Sequence, residues 1–479
     1  MKFLFLVPVL LLLLLAPQNQ VATRPLVLTH VTIIDVTEDD PIKAAKFDQA
    51  VVVTGNRITA VGAAKGIRIP QGAVVVDGGG RYLIPGLWDM HVHSLLAGRP
   101  DYFFPLFIAN GVTGVRDMGS NLSFEQINQI RSDVDSGKIV GPRFGGVAGQ
   151  IVDGPGAPPN VAIVVNDPAE ARQIVRKFKQ SGADFIKVYD RLSRDVYLAI
   201  VDEAKKQKIP VAGHVPFELT AAEVSDLGQK SIEHATDVFI SGAANEKELR
   251  DELRRELKSG ESNGSSPRQG IELKAVSTFE EKRVKSLFSR FASNQTWQCP
   301  TLIVRQPSSY ENNARLASDA RMKYIPQTVR SNWDQTFRQR FAVGTLEQRT
   351  LRFRATLLVV GAMSRADVPL LAGTDILNPY VFPGFSLHDE LALLVEAGLT
   401  PLQALRTATS NPAKYFDMTD SLGTIEKGKL ADLVLLDANP LDNIRNTQRI
   451  QAVVTNGRYF PYEQIRALLA QAEAAAAKQ

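Results

Sequence analysis

Hydrophobic and polar positions divide the chain into short-strand regions at both ends and a long alternating region between them. Near the front, β-branched runs such as "LVLTHVTIID" and "AVVVTGNRITAVG" are separated by Gly and Asn turns. The far end repeats this pattern in "ADLVLLDANP" and "IQAVVTNGRYF". Such runs predict short strands. We therefore expect both chain ends to build one small β-sandwich subdomain, from residues 23–82 and 419–462.

From residue 83 to 418, apolar strand-like runs alternate with amphipathic helical patterns such as "DPAEARQIVRKFKQSG". The predicted strands end near His93, Val115, Gly146, Tyr189, His214, His234, Val304 and Asp375. Eight strands with crossover helices predict an α/β fold, a (β/α)8 TIM-like barrel. Longer gaps after the sixth and seventh strands predict helical insertions, which either form a solvated surface or cover the active-site face as a lid.

The two extremities of the chain carry separate signals. Lys2 precedes an apolar run of 14 residues from Phe3 to Ala16, followed by small and polar residues. This pattern predicts a secretory signal peptide over residues 1–22, and therefore an exported, periplasmic or secreted protein. A membrane anchor is the alternative, but the run is shorter than the ~20 residues that span a bilayer as a helix. The Ala-rich segment 463–479 predicts a C-terminal helical tail.

Composition narrows the class of partner. The chain has 479 residues and a formal net charge of +4, and it lacks the dense Lys/Arg stripe with interleaved aromatics that nucleic-acid binders carry. We expect a small-molecule amide or dipeptide as the partner, no nucleic acid and no stable membrane span after signal cleavage. The sequence does not decide between a monomer and a homo-oligomer. Cys299 is the single cysteine, so an intramolecular disulfide is excluded.

The candidate chemistry lies at the predicted strand ends. His91 and His93 end the first strand, where residues two apart point to the same side, a spacing that suits a divalent metal. Such a pair alone is more often structural, and so are His214 and His234 when each is taken singly. Four of the six histidines nevertheless fall at predicted strand ends. In a barrel these ends converge on one pocket.

Two further residues at predicted strand ends, Asp375 and Lys187, each have two alternative interpretations, one structural and one chemical. Asp375 ends the hydrophobic run "VPLLAGTD", where it either caps the next helix or binds a metal and accepts a proton. Lys187 in "GADFIKVYD" is either a surface lysine or anion binder, or a buried neutral amine. A neutral amine can react with carbon dioxide to give a carbamate whose oxygens bridge two cations.

The ordered series of motifs resembles the amidohydrolase superfamily, in particular its imidazolonepropionase-like and prolidase-like members. The resemblance covers nearly the whole mature chain and includes "PGLWDMHVHS", "GVTGVRDMG", "DFIKVY", "GHV", "IEHATD", "LAGTD" and "GTIEKGKLADLVLLDANPL". It implies a metal-dependent amidohydrolase with two divalent ions, which we predict to be zinc. The ligands it implies are His91, His93, Lys187, His214, His234 and Asp375.

The resemblance also implies which residues bind each ion and which residue transfers the proton. His91, His93 and Asp375 would hold the more buried ion, the remaining histidines the second, and a Lys187 carbamate would bridge them. A metal-bridging hydroxide would attack a carbonyl carbon. Asp375 would be the catalytic residue that accepts the proton and delivers it to the departing nitrogen.

Substrate contacts are less well defined by the sequence. Tyr189 points to the same side of its strand as Lys187, and His388 follows the last strand; each is a candidate substrate contact, with packing or a structural role as the alternative. Arg116 either touches substrate or pairs with Asp117 or Asp89. The segment "FGGVAGQIVDGPGAPPN" departs from many relatives because it lacks a histidine in a Gly-rich stretch.

The predicted function is hydrolysis of a carbon–nitrogen bond in a small substrate. An N-acyl amino acid or an Xaa-Pro-like dipeptide would suit such a site. The alternatives are an esterase or lactonase that uses the same binuclear site, and a non-catalytic barrel scaffold.

Overall fold

A computed structural model describes residues 24–96, 100–157, 161–259, 267–310, 316–340 and 343–478. The predicted signal peptide lies outside the described residues. Strands are numbered in chain order: β1 (Leu26–Ile34), β2 (Ala45–Thr54), β3 (Arg57–Ala63), β4 (Val74–Asp77), β5 (Tyr82–Pro85), β6 (Leu87–Val92), β7 (Val112–Asp117), β8 (Arg143–Val147), β9 (Ile151–Asp153), β10 (Ala162–Val164), β11 (Ile186–Val188), β12 (Val211–Gly213), β13 (Ser231–Glu233), β14 (Trp297–Cys299), β15 (Leu433–Leu436), β16 (Ile450–Thr455) and β17 (Arg458–Pro461).

Helices lie between most of these strands. Their bounds are Pro41–Ala44, Pro100–Ala109, Phe124–Asp135, Pro168–Ser181, Arg194–Gln207, Ala221–Asp226, Val238–Gly242, Glu246–Ser259, Pro267–Ser277, Glu281–Asn294, Leu302–Arg305, Gln327–Arg340, Leu346–Arg365, Phe385–Glu396, Pro401–Thr407, Ser410–Tyr415 and Tyr462–Ala477. None of the described helices is both long enough and apolar enough to cross a membrane.

Helix Pro168–Ser181 shows how local sequence sets these bounds. The Asp167 side chain accepts hydrogen bonds from the Ala169 and Glu170 amides, and Pro168 occupies the first helical turn, where its missing amide hydrogen costs nothing. The helix ends at Gly182, whose φ of +99° lies in the left-handed region. Its buried face, Ala171, Val175 and Phe178, packs into the main hydrophobic core.

One sheet combines both ends of the chain. Its strand order is β17-β16-β15-β5-β1-β2-β3, with β4 paired to β1. The joining pair is β5 with β15, which run antiparallel with Ile84 opposite Val434. Buried residues from both ends, such as Leu28 and Leu433, form one core. The two-layer sandwich and the domain boundaries stay predictions.

The parallel strands lie in two sheets, β6-β7-β8 and β10-β9-β11-β12-β13-β14. Backbone hydrogen bonds link residues of one sheet, or residues next to it, to residues next to the other sheet. The Asp184 amide donates to the carbonyl of Val147, the last residue of β8, at 3.0 Å. On the other side, residues 369–372 lie between β14 and β6, because the Leu371 amide donates to Gln298 and the Met90 amide donates to Ala372.

One predicted strand end and one predicted strand differ from the structure. The seventh strand ends at Cys299 and not near Val304, because Leu302–Arg305 is helical and the Glu390 carboxylate accepts hydrogen bonds from the Leu302 and Ile303 amides. The predicted eighth strand before Asp375 makes only an isolated parallel bridge, between Leu370 and Gln298. The structure also contains β9 and β10, which the sequence analysis did not predict.

Candidate metal centre

Five of the six predicted metal ligands lie within the parallel strands near their carboxyl ends or directly follow these strands. His91 lies in β6 and Lys187 in β11, whereas His93, His214 and His234 come directly after β6, β12 and β13. Asp375 follows the segment 369–372 that runs beside β6, and its backbone amide donates to the His91 carbonyl at 2.7 Å. The parallel strands, together with the segment 369–372 beside them, therefore place all six residues at the edge where the strands have their carboxyl ends.

The Asp375 carboxylate is at the centre of the histidine cluster. Its Oδ1 lies 3.5 Å from His91 Nε2 and 3.3 Å from His93 Nε2, and its Oδ2 lies 3.8 Å from His234 Nε2. The ring centroids of His234 and His214 are 4.8 Å apart, which places His214 next to this group. The structure thus brings together five of the predicted ligands, the four histidines and Asp375.

Each of the four histidines is held through its Nδ1 atom. His91 contacts the Glu233 carboxylate at 2.8 Å, His214 contacts the Asp190 carboxylate at 3.1 Å, and His93 contacts the Gly119 carbonyl at 3.0 Å.

The fourth histidine, His234, contacts the Thr301 hydroxyl at 2.6 Å; that hydroxyl already donates its hydrogen to the Pro300 carbonyl, so it accepts from the imidazole. All four Nδ1 atoms are therefore donors.

This hydrogen-bond pattern fits a divalent metal. A neutral imidazole that donates from Nδ1 keeps its lone pair on Nε2, and outer partners of this kind are what metal-binding histidines normally have. One ligand atom each from His91, His234 and Asp375 lies within 4.8 Å of the others, close enough to share one ion.

The atoms Lys187 Nζ and His214 Nε2 give a second sign of a fit. Both are buried and have no hydrogen-bond partner in the part of the chain that the structure describes. Buried polar atoms are normally paired, because an unpaired one loses its hydration without compensation. Bound divalent metal, with Lys187 converted to an anionic carbamate, would give both atoms a partner.

Burial sets the protonation of these groups. It lowers the pKa of His91 to about 4 and also lowers the pKa values of His214 and His234, so these imidazoles are neutral near pH 7. Burial opposes the charge on His93 too, but the contact with Asp375 outweighs it and raises the His93 pKa. Burial lowers the pKa of Lys187 to about 8, which leaves a fraction of reactive neutral amine at neutral pH.

A buried ion pair supports His91 from behind. Both oxygens of Glu233 accept from Arg116 Nη2 at 2.9 Å, and Arg116 also donates to the Tyr415 hydroxyl at 2.8 Å. The prediction that Arg116 pairs with Asp117 or Asp89 is wrong. Asp89 instead accepts from Thr374, and Asp117 accepts from Ser94 and Leu95.

The Glu233→Gln variant is expected to lower the free energy of unfolding by about 3–5 kcal/mol, because it leaves the Arg116 guanidinium buried without its counter-charge. Metal affinity is expected to fall by about 10–100-fold, since the partner that orients His91 changes. Urea denaturation and metal titration measure the two effects. Asp251→Asn, which removes an exposed ion pair with Arg254, is the control and should cost no more than about 1 kcal/mol. Equal small losses in both variants would contradict the role given to Glu233.

Backbone strain accompanies two of the ligands. Asp375 has a φ of +56° and His234 a φ of +62°, in the left-handed region that residues with a side chain rarely adopt. Such strain concentrates at functional sites, where the surrounding structure enforces it. Gly373 contributes to this: a Cβ there would lie 2.5 Å from Cys299 Sγ and 2.8 Å from His91 Cβ, so the segment before Asp375 packs directly against β6.

The two predicted substrate contacts lie in different environments. The Tyr189 ring is beside the cluster, with its centroid 4.0 Å from that of His214. His388 is buried, and its Nδ1 and Nε2 atoms contact Thr447 at 2.9 Å and the Asn110 carbonyl at 3.1 Å. Both ring nitrogens of His388 are therefore engaged inside the protein, an arrangement that favours the structural alternative. Its role as a substrate contact stays a prediction.

The sequence analysis did not identify the residues that hold the histidines, namely Glu233, Asp190, Thr301 and Gly119. A signal exists for two of them. Glu233 directly precedes His234 at the end of β13, and Asp190 follows the Lys187–Tyr189 motif. Acidic residues at strand ends next to candidate ligands are candidates for outer partners.

Comparison with known proteins relates this arrangement to a family. A model described as "Amidohydrolase family" matches residues 319–459. Imidazolonepropionase from Pyrobaculum arsenaticum is 41% identical over 78 residues, which are 16% of this chain and 19% of the relative. The chain thus matches about a fifth of that curated relative's length.

Solved structures give longer matches. A protein assigned as a prolidase from Bifidobacterium longum has a TM-score of 0.66 at 23% identity and covers 94% of this chain and 99% of its own. Bottromycin amidohydrolase has a TM-score of 0.72 at 24% identity, with 94% and 90% covered. At this identity the likeness shows the fold alone, a TIM-barrel-like α/β fold.

Proposed function

This chain belongs to the amidohydrolase superfamily, and we propose that it is a metal-dependent hydrolase that cleaves a carbon–nitrogen bond of a small substrate. One observation carries the proposal. Four imidazoles donate from Nδ1, and three of them, His91, His93 and His234, present Nε2 to the Asp375 carboxylate. The Nε2 atom of His214 and the Nζ atom of Lys187 are buried without a hydrogen-bond partner among the described residues. This donor set suits zinc.

The residues divide between two ions in this proposal. His91, His93 and Asp375 would hold the first, and His214 and His234 the second, with a Lys187 carbamate shared between them. Divalent ions, when bound, supply Lewis acidity and make water a nucleophile at neutral pH. The buried lysine and the orphaned His214 nitrogen support two ions over one.

The position of Asp375 supports its proposed role in proton transfer. Its carboxylate lies against three imidazoles and is held by the backbone contact of its own amide with His91. Burial raises the pKa of Asp375, but the neighbouring His91 and His93 outweigh it and hold that pKa well below its ordinary value. The ionised carboxylate would accept a proton at Oδ1 or Oδ2 and return it to the departing nitrogen. Tyr189, beside His214, would contact the substrate near its carbonyl or carboxylate group.

We propose a small amide as the substrate, either an N-acyl amino acid or an Xaa-Pro-like dipeptide. The names of the similar proteins, an imidazolonepropionase, a prolidase and an amidohydrolase, support carbon–nitrogen chemistry. The two parallel sheets are, in our interpretation, parts of one closed (β/α)8 barrel, a closure supported by the backbone bonds of residues 369–372. We also propose export through the N-terminal apolar segment.

The function is tested with zinc-loaded protein on paired amide and ester substrates that share the same acyl group. Hydrolysis of the amide, with the amine and acid products identified by mass spectrometry and lost on chelation, is the expected result. Hydrolysis of the ester alone would support the esterase or lactonase alternative. No hydrolysis across a broad amide, dipeptide and ester library would support the non-catalytic scaffold.

A further inference from the structure

Three neighbouring strands, β9, β11 and β12, each carry or precede a buried polar atom without a partner among the described residues. The atoms are Asp153 Oδ2, Lys187 Nζ and His214 Nε2. The proposed metal centre accounts for the lysine and the histidine. The Asp153 carboxyl, at the end of β9, has no role in that centre and lies in the segment where the sequence departs from many relatives.

Strand alternation places Asp153 on the face of the sheet that carries the candidate site. Val152 packs into the outer core with Ile186 and Val188, so Ile151 and Asp153 point to the opposite face. Ile151 packs with Tyr189 on that face.

The same face reaches the first pair of histidines. A Cβ at Gly119 would meet Ile151 Cγ1 at 2.8 Å and His93 Cε1 at 3.3 Å, so Ile151 and His93 flank the same glycine. Asp153 lies two residues beyond Ile151, towards the carboxyl ends of the strands, where barrel enzymes bind their substrates.

Among the described residues, only one of the two carboxyl oxygens of Asp153 has hydrogen-bond partners. Oδ1 accepts from the Arg191 amide at 2.6 Å and from the Gly154 amide at 2.9 Å. Burial, with a smaller contribution from the negative charge of Asp190, raises the pKa of Asp153 to about 7, and the charge of Arg191 offsets this only in part. A cation at Oδ2 would keep the carboxylate ionised and satisfy the unused oxygen.

We propose that Asp153 is a substrate-binding residue that receives a cationic nitrogen, the free α-amino group of a dipeptide. The proposal rests on the proposed function and sharpens its substrate class. An N-acyl amino acid has no ammonium group and would leave Oδ2 unsatisfied, whereas a dipeptide would place its amino group on Asp153 and its peptide bond at the metal centre.

The experiment compares alanylproline with N-acetylalanylproline on zinc-loaded wild type, Asp153→Asn and Asp202→Asn. Asparagine keeps an oxygen for the Arg191 and Gly154 amides but removes the charge. The expected result is a loss of at least about tenfold in kcat/KM for alanylproline in Asp153→Asn, mainly through KM, because a charged hydrogen bond is lost. The acetylated substrate should change by less than about twofold between wild type and Asp153→Asn. Asp202, which forms surface ion pairs with Arg172 and Lys206, is the control for one lost charge.

Calorimetric titration of both compounds into the zinc-loaded proteins gives a second measurement that does not depend on turnover. Wild type is expected to bind alanylproline at least about tenfold more tightly than the acetylated compound, and Asp153→Asn to lose this preference. Equal binding of both compounds by wild type, no binding of either, or equal effects of Asp153→Asn on both, would overturn the proposal. If Asp153→Asn does not fold, the wild-type preference alone decides.

Failure of the proposed function gives a different pattern. In that case no amide, dipeptide or ester is hydrolysed, while the preference for the free amino group in the titration persists and is lost in Asp153→Asn.

Discussion

Asp375→Asn is expected to lower kcat by about 10²–10⁴-fold while the protein keeps its zinc, because removal of a positioned general acid–base has an effect of this size. An amide oxygen still faces His91 and His93, but it cannot hold a proton at neutral pH. Steady-state kinetics on the amide substrate and metal analysis by mass spectrometry measure the two properties on one preparation.

The control for Asp375→Asn is Asp437→Asn. Asp437 directly follows β15, and its partly exposed carboxylate pairs with Arg81 and Arg449. This substitution should leave both kcat and zinc content unchanged. Near wild-type turnover in Asp375→Asn would refute the proton transfer assigned to that carboxylate. Loss of zinc together with turnover would show that the residue acts mainly as a ligand.

Lys187→Ala is expected to lose activity by several orders of magnitude, and small carboxylic acids such as acetate or propionate are expected to restore part of it. The physical reason is that alanine leaves a buried space where the lysine ends, and a carboxylate can enter it and replace the two oxygens of the carbamate. Activity against acid concentration should therefore rise to a plateau in the variant and stay flat in the wild type.

Lys230→Ala is the matched control for Lys187→Ala, since Lys230 lies over the Tyr415 ring and pairs with the exposed Asp417. It should keep wild-type activity and show no response to the acids. Full zinc occupancy and full activity of untreated Lys187→Ala would remove the carbamate from the mechanism. Intact-mass measurement of the wild type in bicarbonate buffer tests the modification directly.

The sequence predicted strand ends best where a polar residue interrupts an apolar run. His93, His214 and His234 each directly follow a parallel strand, and Lys187 lies inside one. The prediction of a strand at "TLIVRQ" was wrong, because periodicity cannot distinguish a strand from a helix in a short apolar run with β-branched residues. The helical outcome depends on Glu390, nearly ninety positions away, whose carboxylate holds two backbone amides.

The sequence also predicted only part of the candidate site. Histidines are few, so their placement carried information, whereas Glu233, Asp190 and Asp153 are ordinary acidic residues among the 51 of the chain. Their importance comes from burial and from a partner on another strand, such as His91 for Glu233. That information arises only when the chain folds.

The sheet that combines both chain ends also constrains the order in which this protein can fold. β5 is paired on one side with β1, close in sequence, and on the other with β15, which lies beyond all the parallel strands. Pairings between such distant segments form slowly, because the entropy of closing a long loop is lost before the contact is gained. During synthesis, one side of β5 stays unpaired until β15, near the end of the polypeptide, has left the ribosome. An open edge is a site for aggregation, so chains stalled before β15 should be far more dependent on chaperones than the finished protein.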